Sequence, residues 1–311
     1  MSDSELHCKF VSSRGMLKSC DIYDDNPRSS QITNIDITKI KKNDIVYICN
    51  SSIQYFYLHQ FKHINVPFIL VSGDSDEITP FEVLTTQQFE DFINSDNVLH
   101  WFATNCFLTH PKMTRIPYGL NYHVQTKELV YYNKLETSVE QEQHMLNILR
   151  NNSSNNFNNR KPLIYIDRFT IRSNERLIAY NTISHNVSFK ETEWSNNRYT
   201  IYENQTKYAF VLSPPSLDIP RRYKLRIRAG GFDCIRTWEA LVLGCIPIVK
   251  SSPMDPLFED LPVWLVNDWN EVNDAEKLKN KIKEFKNKTF KYEKLTLKYW
   301  VDLFHSKKLK T

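Results

Sequence analysis

The stretch NNSSNNFNNRKP, residues 151–162, cannot build a core: it has no apolar period, and six of its first nine residues are Asn. It divides the chain. On either side, short apolar runs alternate with amphipathic stretches. Before it, DIVYICN (44–50), VPFILVSG (66–73) and VLHWF (98–102) read as buried strands, with QYFYLHQFK, TTQQFEDFIN and VEQEQHMLNILR as helices. After it, PLIYIDR (162–168), KYAFVLSP (207–214), CIPIVK (245–250) and VWLV (263–266) read as strands, with NERLIAYNTI and CIRTWEALVLG as helices. This alternation predicts an α/β protein of two doubly wound, Rossmann-like domains facing a cleft. The expected units are residues 1–150 and 161–273, with terminal helices over 274–311 crossing back to the first domain. A chain of 311 residues exceeds what one core usually absorbs, which agrees.

Charge and cysteine usage narrow the partners. Of the net +4, residues 274–311 carry twelve Lys against five acids, so the rest of the chain is slightly acidic. With no aromatic-basic module beside them, these lysines read as the solvated face of terminal helices, not as a nucleic-acid surface. The six cysteines form neither a CxxC pair nor a zinc spacing, and Cys49, Cys106 and Cys245 sit in apolar runs. The N-terminus has no apolar signal region, and no run approaches membrane-spanning length. The expectation is a cytoplasmic protein with no transmembrane segment.

The densest chemistry lies in GGFDCIRTWEALVLGCIPIV, residues 230–249. Asp233 is expected as the N-cap of a helix ended by Gly244, with Gly230 and Gly231 as the flexible approach to its start. Free N–H groups at such a start favour an anion. Arg236 lies in the first turn, suited to phosphate oxygens, and Glu239 follows on the same face, suited to vicinal ribose hydroxyls. A nucleoside diphosphate would fit that spacing. So would an ordinary Arg–Glu surface pair, and spacing alone leaves both open.

The residues FVLSPP, followed by GFDCIRTWEALVLGCIPIV, resemble the donor-site signature of exostosin-like glycosyltransferases. Ser213, Pro214, Asp233, Cys234, Arg236, Trp238, Glu239, Gly244 and Pro247 fall on that pattern. PFILVSGDSD (67–76), HWFATN (100–105) and HPKMTRIPYGLNYH (110–123) are similar to the same family, in its compact, membrane-free versions from large DNA viruses and some microbes. The resemblance implies a GT-B fold and a nucleotide-sugar donor, UDP-linked, held by the second domain with no required metal or other cofactor. By that likeness Ser213, Gly231, Arg236 and Glu239 face the donor, with Arg236 on the diphosphate, Glu239 on the ribose and Trp238 packed behind. Two departures stand out. The family's short Gly-rich loop is replaced by PSLDIPRRYKLRIRAGGF, carrying Arg221, Arg222, Lys224, Arg226 and Arg228, and Ile235 stands where relatives often carry His. The insertion reads either as an edge strand with a basic face or as a basic flap over an anionic ligand.

A rival motif ends the second strand. Asp74-Ser75-Asp76 could supply the general base that takes the acceptor's proton in an inverting transfer, a turn or helix cap, or the metal ligands of a GT-A enzyme. Arg168 is expected at the mouth of the cleft as a cation for the leaving diphosphate. His110 and His123 read as loop histidines around a turn in which Gly119 allows a close approach, and Lys207 reads as structural. The expected function is transfer of a sugar from a nucleotide sugar to a glycan hydroxyl. A glycan-binding protein without turnover, and a metal-dependent GT-A transferase using Asp74 and Asp76, are the alternatives.

Overall fold

The computed structural model describes residues 4–24, 35–122, 135–151, 157–167, 173–190, 197–216 and 231–310. The apolar runs form two parallel sheets. The first contains β1 (Ile45–Cys49), β2 (Phe68–Gly73), β3 (Val98–Ala103) and β4 (Met113–Arg115), in the order β1-β2-β3-β4. The second contains β5 (Lys161–Ile166), β6 (Ser188–Lys190), β7 (Tyr208–Leu212), β8 (Ile246–Lys250) and β9 (Trp264–Val266), in the order β6-β5-β7-β8-β9. Every strand pair in both sheets is parallel. The α/β class expected from the alternation is the class observed.

Parallel strands need helical crossovers, and those helices cover both faces of each sheet. The pleat sorts the side chains. In β1, Val46 and Ile48 join a cluster with Ile53 and Phe56 of α2 (Ile53–His59) and with Phe89 and Phe92 of α3 (Thr86–Asn94). Ile45 and Tyr47 face the other way, toward Met16 and Leu17 of α1 (Ser13–Lys18). Local capping fixes several helix starts. Thr85 and Gln88 form a reciprocal capping box on α3, and Asp274 caps α8 (Ala275–Lys286). In the second sheet, Ile164, Phe210 and Ile248 pack with Ala179 of α5 (Asn174–Thr182) and with Leu278 of α8. Its opposite face packs on Tyr202 of α6 (Arg198–Gln205) and Trp238 of α7 (Ile235–Val242).

One apolar cluster runs from the first sheet to the second, containing Tyr47 and Phe102 on one side and Tyr165 and Val211 on the other. The last helix, α9 (Leu297–His305), lies on the first sheet: the Phe304 ring is 4.7 Å from Phe102, and Leu309 N–H donates to Asn43 Oδ1 at 2.8 Å. The N-terminal segment meets the same end of the chain, with Val11 N–H donating to the Leu295 carbonyl at 2.9 Å. Glu142, on α4 (Ser138–Asn151), accepts from Lys9 N–H, Phe10 N–H and the Tyr122 hydroxyl, at 2.7, 2.9 and 2.8 Å. Helices α1 and α6 and strand β6 carry too short a pattern to stand out in the sequence.

Candidate functional site

In the second sheet the strand order reverses beside β5: the chain goes outward to β6, then returns to place β7 on β5's other edge. Crevices at the carboxyl ends of strands flanking such a reversal are where open α/β sheets bind ligands. Here those ends are Ile166–Asp167 and Leu212–Ser213. Ser213 is buried; its N–H donates to the Ile248 carbonyl at 3.0 Å, and its hydroxyl lies 2.9 Å from that of Thr237. It therefore ties the strand end to the first turn of α7. Arg236 is half-buried in that turn.

Helix α7 begins one residue later than the sequence suggests. Its N-cap is Cys234, with no side-chain cap bond, and Gly244, at φ 71°, follows its C-terminal turn. Asp233 has another task. Its buried carboxylate accepts the Trp238 ring N–H at 2.8 and 2.9 Å and the Tyr118 backbone N–H, from the first domain, at 2.6 Å. Burial pushes this carboxyl up to about 7 against the downward pull of those two donors. Trp238 is core packing, as expected, and it also anchors Asp233.

Gly231 is not a flexible approach but a point of contact. A Cβ there would sit 2.2 Å from Asn105 Nδ2 and 2.5 Å from Asn105 Oδ1. Asn105, at the end of the first sheet's third strand, accepts the N–H groups of Phe232 and Asp233 at 3.1 and 3.2 Å. The Phe107 and Phe232 rings meet edge to face at 4.6 Å beside it. The loop entering α7 is thus clasped by the first domain.

Glu239 is also engaged. Its Oε1 accepts from the Tyr202 hydroxyl at 2.7 Å and from the Arg198 guanidinium, which also donates to the Asn121 carbonyl of the first domain at 3.2 Å. Burial alone would raise the Glu239 carboxyl, but Arg198, Tyr202 and Arg236 hold it below the usual carboxylate range. It is a charged group on the seam between the domains.

Across the seam, Asp74 closes β2 in a left-handed conformation, φ 59°. It is buried, with Arg14 Nε 3.4 Å from its Oδ2. Asp76 is half-exposed. Burial raises the Tyr118 hydroxyl, and the negative charges of Asp74 and Asp76 raise it further, while its backbone N–H reaches Asp233. Among the described residues no three His, Cys, Asp or Glu side chains gather as metal ligands, and no helix is long and apolar enough to cross a membrane. All six cysteines are buried free thiols.

Other expectations fall away from this place. His110 Nδ1 accepts the Lys112 N–H at 3.1 Å in a surface turn. Gly119 makes its close approach to Val11, whose carbonyl oxygen a Cβ would meet at 2.5 Å, and not to a ligand. Lys207 donates to Asn204 Oδ1 at 2.7 Å ahead of β7. Arg168, His123, Gly230 and the five basic residues of the insertion lie outside the described residues. Tyr118, Asn105 and Arg198 were not singled out by the sequence. Only the first two sit inside stretches that resembled a family, HWFATN and HPKMTRIPYGLNYH, where the likeness could have flagged them.

No protein-family model matches the chain, and no curated protein matches it in sequence. Solved structures with a similar layout include an α,α-trehalose 6-phosphate synthase from Burkholderia multivorans, at 11% identity and a TM-score of 0.41, covering 87% of this chain and 72% of that one. A UDP-forming α,α-trehalose-phosphate synthase from Burkholderia xenovorans, in complex with glucose-6-phosphate, has 8% identity and a TM-score of 0.44, over 87% and 74%. Anabaena Alr3699/HepE, in complex with UDP, has 10% identity and a TM-score of 0.36, over 85% and 74%. The fold class rests on the strand order and packing described above.

Proposed function

We propose that this chain is a GT-B glycosyltransferase of exostosin-like type, transferring a sugar from a UDP-sugar to a glycan hydroxyl. The observation that carries this reading is the strand-order reversal at β5 and β7. The strand end after β7 carries Ser213, which is tied through Thr237 to the first turn of α7, and that helix starts without a side-chain cap and carries Arg236. In this reading Arg236 and the first turn of α7 take the diphosphate and stabilise it as it leaves, in place of a metal ion. Ser213 holds the strand end against that turn, Gly231 lets the loop close on Asn105, and Arg168, outside the described residues, adds a cation for the diphosphate. Glu239 receives the ribose on Oε2, since both of its hydrogen bonds fall on Oε1.

The acceptor enters from the first domain. A general base there removes the hydroxyl proton as the oxygen attacks the anomeric carbon, and the diphosphate departs from the opposite face with inversion. Asp76 suits this role better than Asp74, because Asp74 is buried against Arg14 and is better placed to fix the turn. The experiment is incubation with UDP-sugars in EDTA, following UDP release and the anomeric configuration of the product by NMR. Release that survives EDTA and stops in Asp76→Asn and Glu239→Ala supports the reading. Binding without any release would make the chain a lectin-like module, and release only with added metal would return the Asp74–Asp76 pair to a GT-A role.

A further inference from the structure

The chain leaving β2 runs from Asp74 to Leu84 and displays Phe81, at 58% exposure the most exposed large apolar side chain among the described residues. Folding such a ring back onto the protein would remove apolar area from water. The backbone is pinned on both sides against it. Before the ring, Thr79 is fully buried; its N–H donates to the Asn105 carbonyl at 3.0 Å, and its carbonyl accepts the Phe107 N–H at 2.9 Å. After the ring, Val83 and Leu84 donate their N–H groups to the Pro80 carbonyl at 3.1 and 3.0 Å and bury their side chains in the first domain. The Glu82 carboxylate closes the turn by accepting the Ile78 N–H at 2.8 Å. The anchors also serve the other domain. Asn105 holds the Phe232 and Asp233 N–H groups through its side chain, and Phe107 is the ring that meets Phe232. The turn bearing Phe81 and the loop entering α7 therefore hang from the same two residues.

The turn is also acidic. Asp74, Asp76, Glu77 and Glu82 lie within residues 74–82, with no Lys or Arg among them, and Arg14 stands only against the buried Asp74, at 3.4 Å. Asp76 and Glu77 are half-exposed, and Glu82 is exposed. We infer that Phe81 is a stacking platform for the acceptor, and that the end of the acceptor bound here is an uncharged sugar ring. The inference rests on the acceptor-side reading above and names its substrate class. A pyranose offers a face of C–H groups that packs on an aromatic ring and a rim of hydroxyls that donate to carboxylates. A phosphorylated or carboxylated sugar would instead meet like charge. A protein partner fits less well, since the centre of a protein interface is depleted of charged residues and this ring is set among acids.

The test is saturation-transfer NMR on the wild type, Phe81→Ala and Phe81→Trp. The probes are the methyl glycosides of glucose, galactose, mannose, xylose and N-acetylglucosamine, with glucuronic acid and glucose 6-phosphate as charged probes. UDP is titrated calorimetrically into the same three proteins. At least one neutral glycoside should receive saturation on its ring C–H protons. Phe81→Ala should weaken it by about fivefold or more, as loss of an aromatic stack requires, and Phe81→Trp should keep it. UDP should bind all three proteins alike. Equal glycoside binding by Phe81→Ala would overturn the platform, and charged probes that bind through Phe81 as well as the neutral ones would overturn the substrate class. UDP binding with no neutral glycoside bound would overturn the inference and leave the donor site standing. A Phe81-dependent glycoside signal in a protein that binds no UDP would uphold the sugar platform and remove the transferase reading.

Discussion

A methyl group on residue 231 would have to share space with the Asn105 side chain, at 2.2 Å from its Nδ2. Gly231→Ala should therefore push the loop entering α7 away from the first domain, at a cost of about 1–3 kcal/mol, the usual range for overpacking. Asn105→Ala in the same chain should recover part of that loss, since it removes the atoms that clash; thermal melts of the two single variants and the double variant measure the coupling. Additive losses would mean that the two residues do not meet. A second residue-scale effect concerns pH. Asp233 is raised to about 7 in the fold by burial, above the ordinary aspartate value of ~3.9. A carboxyl raised in the folded state favours folding when protonated. Its contribution is fully present below about pH 4 and is lost as pH rises through about 7. Glu5, raised to about 7 mainly by burial, acts with the same sign. In Asp233→Asn the amide oxygen can accept from both Tyr118 and Trp238, so the fall in melting temperature from pH 4 to 7 should be shallower than in the wild type. An unchanged slope would show that Asp233 is not the group that titrates.

At the scale of elements, the terminal helix α9 is held by one aromatic contact more than by its charges. Phe304 is fully buried against Phe102, while Lys298 and Asp302 pair on the exposed side at 2.6 Å. Phe304→Ala should cost about 3–5 kcal/mol and Lys298→Ala well under 1 kcal/mol, read from denaturant midpoints. Equal effects would contradict the packing described. Such elements were legible in the sequence to different degrees. Long, strongly patterned runs such as VPFILVSG and TTQQFEDFIN gave strands and helices within a residue or two, because a buried parallel strand is apolar throughout and a capped amphipathic helix announces its start. The six-residue α1 and the three-residue β6 have too few positions to show a period. Asp233 reads as a cap because Asp before a helix usually is one; only the fold reveals that Tyr118, 115 positions away, takes its carboxylate instead. Arg236 and Glu239 stood out as candidates from their spacing and their likeness to a family, whereas Arg198 meets Glu239 through tertiary packing, which no local pattern encodes.

At the scale of the molecule, the two sheets are joined as one body, so the seam is a set of specific contacts. Asn105 holds residues 232 and 233, Asp233 holds Tyr118, Arg198 spans Glu239 and Asn121, and Arg115 Nε donates to the Pro253 carbonyl at 2.8 Å. A donor bound at α7 would thus be read by both domains. Arg198→Ala should loosen Glu239 and the tie to Asn121 together, and should weaken a ribose-containing ligand more than pyrophosphate. Equal weakening would show that Arg198 does not act through the ribose. The most direct measurement is calorimetric titration of UDP into the wild type and Arg236→Ala, each in EDTA. The donor-site reading predicts one-site binding to the wild type that chelation leaves intact and that falls by about tenfold or more in the variant, as loss of a charged hydrogen-bond partner requires. UDP binding that is absent, that needs a metal ion, or that is indifferent to Arg236 would contradict it.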